Sequence, residues 1–351
     1  MTVPAYASMD DALELLSAYG PDLRNGLTNH APMVADALCA MGRPEAVIPW
    51  IEGYRAGMLP RPAGGERISR QNWRGALAQT QRFGDWSAFF QEELQTAPWR
   101  DVLNDWVGRL APGLCASAAH GVIRVGHAAR SLTECESARR LGELADALAS
   151  WAYAYQELPS SRHPADRVMS PRDAIAKVAV VPLDRRRFSG TIVSSLEALS
   201  EFPDFAPVIG LIDVSGDPQQ VTVELAEVFA RVYLANTHDV LTAIVFIHGV
   251  TSVAAVGSIL PYLEDVTARA ALRFAWQTSC ALYAAFGSRP APAGDIEPPD
   301  EDRDTLADMA VAHGDEHAIK FTETCLRYHE LRPSPVFLAA ARNALAVLPS
   351  R

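Results

Sequence analysis

From Val240 to Leu260 the chain carries no Asp, Glu, Lys or Arg, and this segment constrains the fold more than any other. A run of about 20 apolar residues is long enough to span a bilayer as a helix. His248, however, lies near its centre, and the sequence contains no second run of this kind. The pattern therefore favours a helix buried in a soluble core, with a histidine held inside it, over a membrane span.

The composition supports a large hydrophobic core. Of the 351 residues, 49% are hydrophobic and 21% are charged, which excludes a disordered protein. The net charge of −11 argues against a nucleic-acid partner and against docking on anionic membranes. Residues 1–11 contain no basic segment followed by an apolar one, so we expect no secretory signal. The five cysteines are scattered and never spaced C-x-x-C, which is typical of reduced thiols in a cytoplasmic protein.

Apolar residues recur at helical spacing along nearly the whole chain, which predicts an all-α protein built as a single large multi-helix bundle. A turn-rich segment, 158–172, separates two possible helical halves, 1–157 and 173–351, of one domain that spans 1–351. Residues 173–213 are ambiguous between helix and short strand. The predicted helices are 9–19, 32–41, 44–57, 84–95, 98–110, 113–131, 134–157, 220–235, 239–260, 265–286, 305–330 and 334–348.

Common catalytic and nucleotide-binding motifs are absent from the sequence. There is no G-x-G-x-x-G, no G-x-x-x-x-G-K-[ST] and no G-x-S-x-G, so nothing indicates a Rossmann site, a P-loop or a hydrolase nucleophile. Only two of the 31 basic residues are lysines, Lys177 and Lys320. Where arginine is the default, a remaining lysine can mark a position that needs a deprotonated amine.

His120 and His127 lie seven residues apart in one apolar helix. Seven residues are about two helical turns, so both rings project from one face. Arg124 and Arg130 fall close to that stripe and are candidates to bind an anionic substrate or to pair with an acid. Two core histidines bonded to the backbone are an equally good interpretation.

Further histidines occupy other apolar helices. His248 requires a partner, because an unpaired buried imidazole costs free energy; a carbonyl, a carboxylate or a metal would serve. His317 and Lys320 are three residues apart and therefore neighbours on one helical face, although Lys320 could instead be a surface cation paired with a glutamate. His30, just before a helix start, could simply position a turn.

Several inward histidines in an all-helical core suggest a non-haem metal site, since imidazole suits iron, zinc and copper. The sequence lacks H-E-x-x-H and lacks a pair of E-x-x-H motifs, so neither a zincin nor a ferritin-like di-iron site is supported. Any metal would be held by histidines from separate helices.

Five blocks of sequence resemble the questin oxidase-like family, and they follow the family's order over most of the chain. The blocks are LTNHAPM (27–33), GDWSAFF (84–90) with APWRDVLNDWVGRLAPG (97–113), AAHGVIRVGHAARSL (118–132), FIHGVTS (246–252) and DEHAIKFTE (315–323). The resemblance implies an oxygenase that uses O2 to cleave the quinone ring of a hydroxyanthraquinone-like aromatic polyketide. It also implies a non-haem iron(II) held by histidines and a carboxylated lysine.

Carried onto this chain, the resemblance implies a set of metal ligands. They are His30, His120, His127, His248, His317 and Lys320. Six groups exceed what one iron with an open position for O2 needs, so we expect one histidine, His120 or His127, to orient a ligand or to bind substrate. A carboxylate formed on a lysine would supply the negative charge that an all-imidazole site lacks.

Two other functions stay open at this point. One is an NADPH-dependent Baeyer–Villiger-type monooxygenase without iron, in which the histidines bind substrate. The other is a non-catalytic helical binding protein. Nothing in the sequence indicates an oligomeric state. Several aromatic residues are candidates to stack on a flat substrate, with ordinary core packing as the alternative. These are Trp73, Trp86, Phe89, Trp106, Trp276 and Tyr283.

Overall fold

A computed structural model describes residues 4–161, 168–292 and 294–351, and in these ranges the regular secondary structure is almost entirely helical. The predicted all-α class is confirmed. The helices up to Tyr153 are α1 (Met9–Leu16), α2 (Ala31–Ala40), α3 (Val47–Tyr54), α4 (Trp73–Ala76), α5 (Phe83–Thr96), α6 (Trp99–Leu110), α7 (His120–Glu134) and α8 (Ala138–Tyr153). The later ones are α9 (Pro171–Ala174), α10 (Ile192–Glu197), α11 (Pro218–Asn236), α12 (Val240–Ile259), α13 (Asp265–Phe286), α14 (Arg303–His313), α15 (Glu316–Leu331) and α16 (Pro335–Val347).

Short irregular elements connect these helices. Two strands, β1 (Tyr19–Leu23) and β2 (Met58–Pro60), pair antiparallel, with Tyr19 opposite Pro60 and Leu23 opposite Met58. The 3-10 helices are Pro44–Ala46, Arg55–Gly57, Thr80–Arg82, Ala111–Gly113, Ile175–Lys177, Leu183–Arg185, Ala198–Glu201, Pro203–Gly210 and Leu260–Tyr262. The ambiguous region 173–213 is thus made of short helical turns. The proposed linker 158–172 includes residues outside the described ranges, so the division into two halves stays a prediction.

Several helix boundaries differ from prediction; the helix predicted over 134–157, for example, covers only Ala138–Tyr153. The first helix ends at Leu16, because Tyr19 begins a strand instead of continuing the helix to residue 19. The helix predicted from residue 113 begins only at His120, after a turn with left-handed backbone. The helix predicted over 305–330 is two helices, because Gly314 adopts φ +77° and ends α14.

α12 contains the uncharged segment and lies in the protein interior. Asp239 caps its N-terminus by accepting a hydrogen bond from the Thr242 amide, and the Thr242 side chain bonds back to Asp239. Among the described residues, only Val240–Tyr262 is long and apolar enough to cross a bilayer, and 89% of its most apolar window is buried inside the protein. This burial supports the predicted core helix over a membrane span.

Four helices form a closed ring at the centre. α7 packs against α2 and α12, and α15 packs against the same two helices. α8 covers the outer side of α7, while α11 and α13 cover α12. The arrangement matters because each helix of the ring carries at least one of the predicted histidines, either within the helix or at its N-cap.

The predicted stacking aromatics lie in the hydrophobic core. Trp86 and Trp106 are fully buried, and their rings pack edge to face at 6.0 Å, together with Phe89. Trp73 packs on Trp106 at 5.2 Å. The indole of Trp276 is buried and donates to a backbone carbonyl. The core-packing interpretation holds for these side chains.

Candidate metal centre

Three of the four ring helices place a histidine at their N-terminus. His30 is the N-cap of α2, His120 is the first residue of α7, and His317 lies in the first turn of α15. The side chain of Asp315 caps α15 by accepting from the His317 and Ala318 amides at 2.9 and 3.0 Å. The local capping chemistry therefore positions the backbone of His317.

The fourth histidine, His248, lies in the middle of α12, and all four rings meet. We call His30, His120, His248 and His317 the histidine cluster. The Nε2 atom of His120 is 2.7 Å from that of His30 and 3.1 Å from that of His248. The ring of His317 lies 4.7 Å from that of His30 and 5.4 Å from that of His248, between centroids. The structure thus brings four histidines from separate helices together, whereas their role as metal ligands stays a prediction.

Backbone carbonyls determine the tautomers of two rings. His120 Nδ1 contacts the Ser117 carbonyl, and His248 Nδ1 lies 2.6 Å from the Ile244 carbonyl. A carbonyl can only accept, so both Nδ1 atoms carry the proton. In the neutral rings both Nε2 atoms then hold a lone pair, and these lone pairs face each other at 3.1 Å.

A proton on His30 Nε2 can pair with only one of these lone pairs. That tautomer also leaves His30 Nδ1 without a proton, and Nδ1 is a buried atom with no hydrogen-bond partner in the described structure. A cation between the Nε2 atoms would accept all of their lone pairs. Nitrogen ligands about 2.0–2.1 Å from a metal lie about 3 Å apart, close to the separations seen here. Ligand atoms of His30, His120 and His317 all lie within 4.8 Å of one another, so these three residues fit one bound metal ion, and His248 contacts this group through His120.

Lys320 lies one turn after His317 and is 2% exposed. Burial lowers the pKa of its amine to about 8, although Glu316 and Asp315 oppose this. The neutral amine is therefore accessible near neutral pH, as carbamate formation with CO2 requires. The structure does not support the alternative of a surface cation.

All four imidazoles are held in the neutral form. Burial is the main cause that lowers their pKa values, and the charge of Lys320 lowers each of them further. The pKa of His248 falls to about 3. Because metals bind the unprotonated imidazole, these rings are ready to act as ligands at neutral pH.

Glu316 covers the cluster on the side of His30. Its carboxylate lies 3.9 Å from His30 Nδ1 and 2.7 Å from the guanidinium of Arg351. Arg351 also lies over the ring of Tyr54 at 4.9 Å. Glu316 lies between His317 and its capping residue Asp315, and the sequence predicts for it only a possible pairing with Lys320, not a place in the site.

His127 has different contacts from the cluster. Its Nδ1 atom lies 2.8 Å from Asp36, which also accepts from Arg130 at 2.9 Å and from Tyr6 at 3.0 Å. Arg130 reaches onward to Glu323. The five residues form the Asp36 network, which joins α2, α7 and α15. The structure therefore brings His127 together with an acid, whereas its role as a metal ligand has no supporting contact.

Arg124 also has an acidic partner. Its guanidinium binds both carboxylate oxygens of Glu143 on α8, at 2.6 and 2.8 Å, and donates to Ser150. Arg124 thus pairs with an acid, which was one of its two predicted roles, and this pair lies in the contact between α7 and α8. Its use as a substrate-binding group stays a prediction.

A family model described as Questin oxidase-like matches residues 27–325. The chain belongs to the questin oxidase-like family. The matched region contains the whole histidine cluster and Lys320, so the candidate centre of this family member lies inside its family domain. The family name indicates an oxidase or oxygenase, that is, an oxidoreductase with a small-molecule substrate. No curated protein matches the chain.

Proposed function

We propose that this protein is an oxygenase that uses O2 to cleave the quinone ring of a hydroxyanthraquinone-like aromatic polyketide at a non-haem iron(II). The observation that carries the proposal is the convergence of the histidine cluster. Two Nε2 lone pairs, on His120 and His248, meet at 3.1 Å in the core with no proton between them. Such an arrangement is costly without a cation. Membership of an oxidase-like family supports the redox class.

The proposed ligands are the four imidazoles of the cluster and Lys320 as its carbamate. Carbamate formation joins the neutral amine to CO2 and releases one proton. Three helix N-termini point their partial positive charge at this centre, at His30, His120 and His317. An anion is therefore favoured there, and a carbamate on Lys320 would supply it. Iron(II) with such ligands, when bound, supplies O2 binding and activation next to an electron-rich phenol.

The protein's own groups have three tasks in this proposal. The backbone carbonyls of Ser117 and Ile244 accept hydrogen bonds from Nδ1 of His120 and His248. The protons therefore stay on Nδ1, and the Nε2 atoms stay available as ligands. Asp315 holds the first turn of α15 and thereby His317. The buried surroundings keep water from the reaction.

The test compares the two lysines of the chain. We expect Lys320→Arg to lose stoichiometric iron and to reduce ring cleavage by more than about 100-fold, because a permanently charged guanidinium cannot form a carbamate. Lys177 is exposed, so Lys177→Arg is the matched control and should keep both the iron content and the ring-cleavage activity. Iron is measured by elemental analysis, and the carbamate by 13C NMR after incubation with 13CO2.

Two results would contradict the proposal. Full iron content in Lys320→Arg would refute the carbamate ligand. Turnover of a hydroxyanthraquinone by metal-free protein with NADPH would refute the iron-dependent reaction and favour the monooxygenase alternative.

A further inference from the structure

A cleft opens beside the loop that precedes His120. It has a volume of about 710 Å³, more than twice that of the cavities beside Arg124 (about 240 Å³) and Arg130 (about 280 Å³). This size suits a drug-sized ligand, for which pockets of about 300–1,000 Å³ are usual. We call it the Tyr155 cleft. Residues in its wall include Ser117, Tyr153, Tyr155, Gln156, Val193 and Ser200.

The cleft and the histidine cluster share one wall, the segment Ser117–Ala119. Ser117 lines the cleft, and its carbonyl accepts from the Nδ1 edge of His120, whose Nε2 edge meets the cluster. Among the four histidines, His120 alone is half-buried as a residue, whereas the other three are buried. A molecule in the cleft would lie next to Ser117, whose carbonyl holds the His120 ring.

The same segment has an unusual backbone. Ser117, Ala118 and Ala119 have φ values of +48°, +56° and +71°. Each such residue other than glycine costs about 1–2 kcal/mol. Backbone of this kind persists where the surrounding structure imposes it, and it is concentrated at ligand-binding sites. Its position between a cleft and a candidate ligand is an independent indication of a functional wall.

The wall offers a hydrogen-bond acceptor that has no partner. The side-chain oxygen Oε1 of Gln156 is buried and accepts no hydrogen bond from the described residues. An unsatisfied buried acceptor costs about 1–3 kcal/mol, so it favours a ligand that carries an O–H or N–H group. Tyr155 has its own partner, since its hydroxyl donates to Glu157 at 2.7 Å.

The other wall groups favour a flat aromatic body. The ring of Tyr155 lies against the backbone of Gly113, where an added Cβ would be only 2.3 Å from the ring. This contact holds the ring in place as a surface for stacking. Apolar side chains, Val193 and Leu196 among them, line the cleft as well.

We propose that the Tyr155 cleft is the substrate site and binds a polycyclic phenol, and that the Gln156 side chain turns toward the cleft so that Oε1 accepts from a phenolic hydroxyl. The inference rests on the proposed function for the identity of the reaction, but the binding itself does not require iron. It assigns substrate recognition to Gln156 and Tyr155, and not to the tryptophans of the core.

The experiment measures binding of 2,6-dihydroxyanthraquinone to the full-length, metal-free protein by calorimetry. Val193→Trp and Ser200→Trp place an indole in the cleft at half-buried and exposed positions, so both variants should fold. We expect each to raise the Kd by about tenfold or more. Val266, 72% exposed and not part of the cleft wall, supplies the control Val266→Trp, which should bind as the wild type does. Circular dichroism verifies folding.

Gln156→Met tests the hydrogen bond at nearly constant side-chain volume. We expect it to weaken binding of 2,6-dihydroxyanthraquinone by about tenfold and to leave binding of 2,6-dimethoxyanthraquinone unchanged, because the ether has no proton to donate. An equal effect on both ligands would remove Gln156 from the recognition of the hydroxyl.

The outcomes separate this inference from the proposed function. If both tryptophan variants bind the quinone as the wild type does, the cleft is not the substrate site and the iron proposal stands unaffected. If the wild type does not bind the quinone at all, both the cleft assignment and the proposed substrate class are wrong. If the tryptophan variants lose binding and the wild type cleaves the quinone without iron, the cleft assignment stands and the iron-dependent reaction is wrong.

Discussion

At the residue level, the partner of each imidazole determines what the ring can bind. His120 and His248 give their Nδ1 protons to backbone carbonyls and turn their Nε2 lone pairs toward each other. His127, on the same stripe of α7 as His120, instead contacts the carboxylate of Asp36. These three histidines therefore have two different kinds of partner, which the residue type alone does not distinguish.

Asp36 provides a residue-level prediction. It is fully buried and accepts from Arg130, His127 and Tyr6. Asp36→Asn leaves Arg130 with an uncompensated part of its charge, and removal of one partner of a buried ion pair costs about 3–5 kcal/mol. We expect this loss in the free energy of unfolding at pH 7, measured by urea denaturation.

The pH dependence of this effect has a definite sign. Burial raises the pKa of Asp36, but the charge of Arg130 and the hydrogen bond from His127 outweigh burial and lower the pKa to about 2. The stabilisation is therefore present above the unfolded pKa of about 3.9 and is lost as the pH falls toward 2. Asp308→Asn, at an exposed pair with Arg43, is the control and should cost less than about 1 kcal/mol. Equal losses in the two variants would contradict the assigned role of the Asp36 network.

At the level of helices, glycines set how closely α7 approaches its neighbours. An added Cβ at Gly121 would lie 2.6 Å from the Trp151 Cα atom on α8. One at Gly126 would lie 2.7 Å from the Ala255 Cα atom on α12. Backbone atoms cannot move aside as a flexible side chain does, so a larger residue would separate the helices. α7 and α12 carry His120 and His248, and their separation would therefore also disturb the histidine cluster.

Gly126→Ala tests this close packing. We expect it to destabilise the protein by about 1–3 kcal/mol, the usual range for overpacking, and to weaken metal binding. Gly142 on α8 has open space around an added Cβ, so Gly142→Ala should instead stabilise by up to about 1 kcal/mol through helix propensity. Thermal denaturation and metal titration measure the two effects. A Gly126→Ala protein as stable as Gly142→Ala would show that the two helices can separate at little cost.

At the level of the whole molecule, the four buried imidazoles couple folding to pH. Burial lowers the pKa of every ring in the histidine cluster, so the native protein resists protonation below pH 6.5 and the unfolded chain does not. The unfolded state then binds more protons, and the free energy of unfolding decreases as the pH falls. The limiting slope is about 1.4 kcal/mol per pH unit for each ring.

This slope can be measured in the metal-free protein by urea denaturation between pH 7 and pH 5. We expect His248→Gln to reduce the slope by about 1.4 kcal/mol per pH unit, because it removes one of the contributing rings. His238→Gln, at an exposed position, is the matched control and should keep the wild-type slope. An unchanged slope in His248→Gln would mean that this ring is protonated in the native state.

The way the helices pack explains why some site residues could not be placed from the sequence. His127 shares a helix face with His120, but two turns separate them by about 10 Å along the axis, which is farther than one ion can bridge. The sequence indicates only that His30 precedes a helix. The packing of α2 against α7 and α15 is what brings it to the cluster. Asp36 could have been noticed as the lone acid within the apolar α2, whereas no local pattern identifies Gln156 or Tyr155.

The sequence by itself determined the helical class, the burial of α12 and the rarity of lysine that drew attention to Lys320, because periodicity and composition act locally along the chain. Its motifs also placed the chain in its family and supplied the list of candidate ligands. Only the tertiary structure decided which of these side chains meet, which way their lone pairs point and where a cleft adjoins them. The reason is that contacts between helices distant in sequence depend on how glycines, caps and buried pairs set helix packing, and none of these is visible in one segment alone.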